Sequence, residues 1–315
     1  MPAEEGPLSP PAEPGPEGPD VARGRFALPG VRLPGVAWPT SNLTQRILTA
    51  LVGAVVVVCT VWAGGWAFAL AITAIGLLAQ HETYGMFEKA GTRPFVWLGL
   101  GLGALAVLRV LLPLAEPLLV LGALAVLGAV LYRRQETPLL DAAATLFGVA
   151  YPAALCGSLV ALRVEPRPWL DGGPPEAHAA FWLTTAVLFC VWGADTFAYF
   201  TGRAFGRRPL FARVSPKKTW EGAVGGAVGA LLLAAGFKLF TPLDPVLTWA
   251  DVAAVAVACG VASPFGDLAE SLFKRSVGVK DSATLLPGHG GMLDRIDAAV
   301  VAVPLVVLWF DLVKG

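Results

Sequence analysis

The sequence predicts an all-α polytopic membrane protein with about nine transmembrane helices and a cytoplasmic N-terminus. Of its 315 residues, 56% are hydrophobic and only 15% are charged, and the mean hydropathy is +0.66. A soluble domain carries about 25% charged residues. Apolar segments also follow one another through most of the chain, and basic residues concentrate in alternate breaks between them. These three observations exclude an ordinary soluble protein.

Residues 1–41 form the first predicted region, a disordered tail rich in Pro and Gly. They contain no apolar stretch long enough for a signal peptide. Such a composition cannot bury enough apolar surface to offset the entropy of ordering.

Nine apolar segments are long enough, or nearly so, to cross the hydrocarbon core, which takes about 20 helical residues. Four lie in a predicted N-terminal transmembrane region, 42–135, and five in a predicted catalytic region, 136–315. The segments are residues 47–63, 65–79, 95–112, 118–132, 139–162, 179–200, 222–240, 249–273 and 296–312. Pro152 and Pro264 fall inside the fifth and eighth segments and predict kinks there.

The positions of the basic residues predict the orientation, because Lys and Arg favour cytoplasmic loops. With the N-terminus inside, outer loops and the C-terminus hold only Arg163, Arg167 and Lys314, while Arg109 and Lys238 lie near outer helix ends. The other 18 of the 23 basic residues are cytoplasmic.

The four cysteines occur singly in apolar runs, so neither a zinc site nor a disulfide framework is expected. We interpret Cys59, Cys156, Cys190 and Cys259 as small apolar residues buried in the membrane. The formal net charge is zero, and no nucleic-acid partner is predicted.

Five carboxylates lie near the cytoplasmic ends of predicted helices, where a charge is costly and therefore indicates function. They are Asp195, Asp267, Glu270, Asp294 and Asp297. Oxygen ligands without Cys or His suit Mg²⁺, and nearby basic side chains suit phosphate groups. The pattern favours metal-assisted phosphoryl or nucleotidyl transfer. The competing interpretation is a salt-bridge network, such as Asp294 with Arg275, that only ties helices together.

Two polar segments carry most of this chemistry. In the first, Ser215-Pro216 indicates a turn or helix start, and Lys217 and Lys218 present two cations to it. Closely spaced glycines then open the seventh apolar segment, either for helix packing or for close approach of a ligand.

The second segment contains a glycine-rich loop, residues 287–291, that leads into a helix start. Backbone N–H groups in such a loop can hold an anion. The loop lacks the GxxxxGK[ST] pattern, so it is not a Walker A loop.

This second segment resembles the signature of the phosphatidate cytidylyltransferase (CDP-diacylglycerol synthase) family, bacterial type. The shared pattern runs S-x-φ-K-R-x4-K-D-x-small-x2-φ-P-x-H-G-G-φ-x-D-R-φ-D, with φ apolar, and it is filled without departure from Ser271 to Asp297. The SPKKTWEG segment that begins at Ser215 is also similar. Phe197 stands where the family has a small residue.

The resemblance implies a bacterial inner-membrane enzyme with its active site at the cytoplasmic face, which forms a homodimer. It implies that CTP and phosphatidic acid are the substrates and that CDP-diacylglycerol and pyrophosphate are the products. It also implies Mg²⁺, as one or two cations, bound by Asp267, Asp294 and Asp297.

Residue roles follow from the resemblance and the charges together. The predicted catalytic residues are Asp267, Asp294, Asp297, Lys280, Asp281 and His289. The predicted substrate-binding residues are Ser215, Lys217, Lys218, Lys274, Arg275, Gly290, Gly291 and Arg295. His81 and Glu82 have no predicted partner and are interpreted as interfacial.

Two alternatives remain open. A CTP-dependent polyprenol or lipid kinase would use the same substrates but transfer the γ-phosphoryl group. A cation transporter would place its carboxylates near the middle of the membrane, often within inverted repeats.

Overall fold

The computed structural model describes residues 42–133, 136–171, 178–283 and 290–315. They belong to one compact unit, Trp38–Gly315. The tail predicted for residues 1–41 lies outside the described residues.

Four helices form the N-terminal part: α1 (Asn42–Ala63), α2 (Gly65–Lys89), α3 (Val96–Val107) and α4 (Ala115–Tyr132). Gly64 and Gly65 both have positive φ angles, of 61° and 49°, and this left-handed backbone turns α1 sharply into α2. Helix α2 continues ten residues beyond the predicted apolar segment, to Lys89. This extension carries polar side chains into the region of the candidate site.

The next helical segment is interrupted by a π-helical turn. Helices α5 (Pro138–Gly148) and α6 (Leu155–Val164) are joined by the turn Val149–Ala154, which contains Pro152. The irregularity predicted at this proline is therefore a π-turn within a continuous segment. A single-turn helix, α7 (Pro168–Asp171), follows.

Two long helices pack against each other next, α8 (Ala179–Phe205) and α9 (Trp220–Phe240). A Cβ atom on Gly222 would lie 2.8 Å from the Ala198 carbonyl oxygen, and one on Gly226 would lie 2.9 Å from that of Ala194. These glycines allow the two backbones to approach closely, which supports the packing interpretation for this part of the motif.

A short β-hairpin joins α8 to α9 and corrects the all-α prediction. Strands β1 (Pro209–Phe211) and β2 (Ser215–Thr219) pair antiparallel. Ser215 begins a strand here, whereas the sequence predicted a turn or helix start. The helix begins later because the Thr219 hydroxyl accepts a hydrogen bond from the N–H of Gly222, 3.1 Å away.

The C-terminal part repeats the interrupted pattern. Helices α10 (Trp249–Val257) and α11 (Ser263–Ser276) are joined by a π-helical turn, Ala258–Ala262. Pro264 is the second residue of α11 and directly follows the π-helical turn, and it has no N–H to donate to the carbonyl groups of that turn. The chain ends in α12 (Leu293–Ile296) and α13 (Ala299–Lys314).

The predicted apolar segments lie mainly on helices, although the third extends beyond the end of α3 at Val107 and the ninth includes the turn between α12 and α13. Within the described residues, five helical segments are long and apolar enough to cross a membrane: Ala115–Tyr132, Pro138–Val164, Ala179–Phe205, Trp220–Phe240 and Trp249–Ser276. Gly53–Ala63 and Val96–Val107 are shorter apolar helices. A mostly helical membrane protein is thus confirmed.

The largest hydrophobic cluster fills the space between α6, α8, α9, α10 and α13. Large apolar side chains also cover the outside, such as Trp97 at 80% exposure and Leu131 at 84%. A surface of this kind suits lipid contact. Cys156, Cys190 and Cys259 are buried, Cys59 is exposed, and all four are free.

A buried carboxylate at the start of α10 joins two helices. This position is at the opposite end of the Trp249–Ser276 segment from α11. The Asp251 carboxylate accepts a hydrogen bond from the Trp309 indole, 2.9 Å away, and pairs with Lys314 at 2.7 Å. It also completes a capping box with Thr248. These contacts fasten α13 to α10.

Candidate active site

Three carboxylates meet where α11 faces the junction of α12 and α13. Oxygen atoms of Asp267, Glu270 and Asp297 all lie within 4.8 Å of one another. Asp267 and Glu270 are three residues apart and so share a face of α11. Asp297 is fixed by its own helix start, because its Oδ1 accepts the N–H of Ala298 at 2.8 Å. Oxygen donors at this spacing could hold a hard divalent cation.

Two lysines neutralise part of this charge. Lys218 reaches across from β2 and forms an ion pair with Asp267. Lys274 is buried, with its Nζ 2.5 Å from Glu270 Oε2 and 2.5 Å from Asp294 Oδ1. Glu270 is fully buried, and its Oε1 has no hydrogen-bond partner among the described residues. A buried carboxylate oxygen without a partner is unfavourable unless a cation or donor satisfies it.

Asp294 is held by a dense set of donors next to this cluster. Its Oδ2 accepts the Gly291 N–H at 2.7 Å, the Ser282 N–H at 3.1 Å and the Ser282 hydroxyl at 3.0 Å. Burial by itself raises the pKa of Asp294, but Lys274 and the Gly291 N–H outweigh it and hold the pKa at about 2. The Asp294 carboxylate is therefore ionised at neutral pH.

The model of the Cytidylyltransferase family matches residues 44–313, which include every residue of the cluster. The chain belongs to this family.

Several relatives of this chain are named phosphatidate cytidylyltransferase. The protein from Brucella abortus biovar 1 is 40% identical over 272 residues, which cover 85% of this chain and 93% of that protein. Those from Haemophilus influenzae and Pseudomonas aeruginosa are 47% and 49% identical over 133 and 130 residues. These two alignments cover 41% and 40% of this chain, and 46% and 47% of the respective relatives.

The predicted site residues of this family member fall into two groups. Asp267, Asp297, Lys218, Lys274 and Asp294 come together at the cluster, as described above. The remaining described side chains are more exposed: Ser215 and Lys217 lie on β2, and Arg275, Lys280, Asp281 and Arg295 are exposed near α11 and α12. Gly290 has a φ of 80°. His289 lies outside the described residues.

Asp195, the fifth carboxylate noted in the sequence, lies on α8. It is close enough to Lys218 and Asp267 for the charges to interact, but it makes no hydrogen bond among the described residues.

Three further residues belong to the site of this family member and were missed in the sequence. Glu82 accepts hydrogen bonds from the loop before α12. The single hydroxyl proton of Ser282 lies within reach of both Glu82 and Asp294 and is shared between the two carboxylates. The Tyr151 hydroxyl is buried close to the acidic cluster, without a hydrogen-bond partner among the described residues. The available signal for Glu82 was a charged residue three positions after the predicted apolar segment 65–79.

Proposed function

We propose that the chain is a phosphatidate cytidylyltransferase, which joins CTP to phosphatidic acid and releases pyrophosphate. The observation that carries the proposal is the cluster of carboxylates and lysines on β2, α11 and α12, inside the family match. It provides both halves of what two polyanionic substrates require, oxygen ligands for a cation and fixed ammonium groups for phosphates.

The reaction needs little acid–base chemistry from the protein. A phosphate oxygen of phosphatidic acid forms a bond to the α-phosphorus of CTP, and the bond from that phosphorus to the bridging oxygen of the β-phosphate breaks. The electron pair of that bond leaves with pyrophosphate. Because the nucleophile is already anionic at neutral pH, catalysis rests on positioning and charge neutralisation.

We propose that Mg²⁺, as one or two cations, is held by Asp267, Asp297 and Asp294. Glu270 is favoured as an additional ligand, since its carboxylate lies in the same cluster and its Oε1 has no hydrogen-bond partner among the described residues. Asp294 Oδ1 becomes available when Lys274 leaves it. When bound, Mg²⁺ neutralises and orients the phosphate oxygens.

The lysines are placed to exchange partners during substrate binding. In the structure Lys218 and Lys274 each pair with carboxylates of the cluster. With a cation held by these carboxylates, the ammonium groups of Lys218 and Lys274 would be available to bind phosphate. We propose that the exposed side chains around them bind the phosphates of CTP and the lipid, and that His289 contacts the leaving pyrophosphate. This set comprises the exposed Lys217, Arg275, Lys280 and Arg295 and the half-buried Ser215, with Asp281 orienting Lys280 and with the backbone of Gly290 and Gly291.

We further propose nine transmembrane spans, a cytoplasmic N-terminus and an active site at the cytoplasmic face of a bacterial inner membrane. The basic residues support this orientation, because the loops around the acidic cluster are the most basic in the chain. Labelling of Lys217→Cys by an impermeant thiol reagent in a Cys59→Ser background tests it. Labelling is expected in inverted vesicles and not in intact cells.

A homodimer is proposed from the family resemblance. Light scattering in detergent measures it, with an expected protein mass of twice 32.8 kDa.

Turnover of labelled CTP by the detergent-purified protein with phosphatidic acid tests the reaction. Label from the α-phosphate is expected in the lipid product and label from the γ-phosphate in pyrophosphate, and both should disappear with EDTA and in Asp294→Asn. Transfer of the γ-label to lipid would indicate the kinase instead. No turnover by folded, lipid-supplied protein would favour the transporter.

A further inference from the structure

We infer that Glu82 is a positioning residue through which the N-terminal helices hold the loop 290–292 and the start of α12, the elements that lead to Asp294 and Asp297. The inference rests on the proposed function for its kinetic consequences, but its structural part can be measured independently. Glu82 lies on the extension of α2, more than 200 positions before the loop in sequence, and it is only 7% exposed.

Three donors converge on the two oxygens of the Glu82 carboxylate. The Met292 N–H lies 2.8 Å from Oε1, and the Leu293 N–H lies 2.8 Å from Oε2. The Ser282 hydroxyl also lies 2.8 Å from Oε2. A carboxylate accepts at both oxygens, whereas an amide would place a nitrogen against at least one of the backbone N–H groups. The geometry therefore selects Glu over Gln at this position.

The same contacts lead directly to the proposed metal-binding and phosphate-binding groups. Ser282 lies between Glu82 and Asp294, and Asp294 in turn contacts Lys274. On the other side, the Leu293 carbonyl accepts the N–H of Asp297 at 3.1 Å. Glu82 therefore anchors both sets of contacts at one end, although it contacts neither aspartate. Loss of its carboxylate should let both Asp294 and Asp297 move.

Gly291 shows how tightly the loop is held against α2. A Cβ atom on Gly291 would lie 2.8 Å from the carboxylate carbon of Glu82 and closer still to the Ser282 hydroxyl. The glycine of the signature is required here because the loop backbone approaches a carboxylate of another helix. No other described helix of the N-terminal part places a carboxylate against this loop.

The test compares Glu82→Gln with Glu88→Gln, a matched change at an exposed site on the same helix. Hydrogen exchange should become at least about tenfold faster in a peptide covering 290–297, since hydrogen bonds to a charged acceptor are lost. Exchange in α8 and α9 should not change. The kcat for CDP-lipid formation should fall about 10- to 100-fold, as for partners that orient metal ligands. The KM for CTP should rise by a smaller factor than kcat falls, because Glu82 itself contacts no substrate and affects binding only through the backbone of Gly290 and Gly291.

Glu82→Gln with wild-type exchange and kcat would overturn the inference. So would faster exchange throughout the chain, which would indicate general destabilisation. If Glu82→Gln does not fold, Ser282→Ala decides, because it removes one donor and keeps the carboxylate. It should show a smaller change in the same peptide, and no change there would also overturn the inference. An inactive wild type would refute the proposed reaction, whereas the exchange measurement would still test the position of Glu82.

Discussion

Lys274→Met removes the cation at the centre of the buried charge cluster. Lys274 is 8% exposed, and its ammonium lies 2.5 Å from carboxylate oxygens of both Glu270 and Asp294. In the variant, the fully buried Glu270 loses the only cation that contacts it among the described residues. Breaking a buried pair from one side costs about 3–5 kcal/mol, because an uncompensated charge stays buried.

That cost predicts a large change in thermal stability. At an unfolding entropy of about 2.1 cal/mol/K per residue, 1 kcal/mol shifts the Tm of a 315-residue chain by about 1.5 °C, so Lys274→Met should lower Tm by at least about 4 °C. Arg275→Met is the matched control, since Arg275 is exposed and, among the described residues, donates only to the Val279 carbonyl. Its Tm should stay within about 2 °C of the wild type, because surface changes cost at most about 0.5 kcal/mol.

The double variant Lys274→Met/Glu270→Gln separates charge from packing. Neutralising Glu270 removes the uncompensated charge, while Asp294 keeps its three other donors. The double variant should recover at least half of the lost Tm but no activity, because both phosphate-binding and carboxylate groups are gone. Thermal unfolding in detergent, followed by tryptophan fluorescence without divalent cations, measures all three proteins. A wild-type Tm for Lys274→Met, or no recovery in the double variant, would refute the electrostatic explanation.

Three further substitutions test the site and its surroundings. Gly291→Ala should lower kcat at least about tenfold, because the new methyl group forces neighbouring polar side chains aside. Gly85→Ala is the control, since a Cβ atom there would have no neighbour within 4 Å, and it should leave activity in the same CTP assay unchanged. Lys218→Met should reduce kcat/KM for CTP at least about ten times more than Lys217→Met does. The reason is that Lys218 pairs with a carboxylate of the cluster, whereas Lys217 is exposed. Equal losses in the two variants would contradict this. Asp251→Ala should lower the free energy of unfolding by about 1–3 kcal/mol, because it removes a buried carboxylate that pairs with Lys314 and Trp309. The kcat per folded molecule should stay constant, since Asp251 lies far along the helix from the site. A lower kcat would show coupling between the two ends.

Hydropathy and charge placement predicted the helical segments because a spanning helix must be apolar along its whole length. The positions of Pro152 and Pro264 likewise indicated the two irregular segments. The β-hairpin was not predictable in the same way, since SPKKT lacks the alternating apolar pattern of a strand. Its pairing depends on β1 and on where Thr219 starts the next helix.

The candidate site could be predicted in its residue types but not in its pairings. The sequence placed Asp267, Asp294 and Asp297 near one another because all three lie at helix ends on the same predicted side. It could not show that Asp294 pairs with Lys274 and backbone N–H groups, or that Glu270 lies beside Asp267 and Asp297. Glu82 was interpreted as interfacial because its partners are backbone groups more than 200 positions away, and no periodicity encodes such a contact.

The π-helical turn Ala258–Ala262 sets the direction in which the acidic face of α11 points. A π-turn holds one residue more than an α-helical turn, and each α-helical residue turns the chain by about 100°. Rewinding these five residues as a regular α-helix, with no residue removed, would therefore rotate α11 relative to α10 by about that angle. Asp267 and Glu270 would then point away from Asp297, although every carboxylate and every lysine of the cluster would still be present in the sequence. Such a change would keep the composition and hydropathy and would lose the alignment of the two acidic elements.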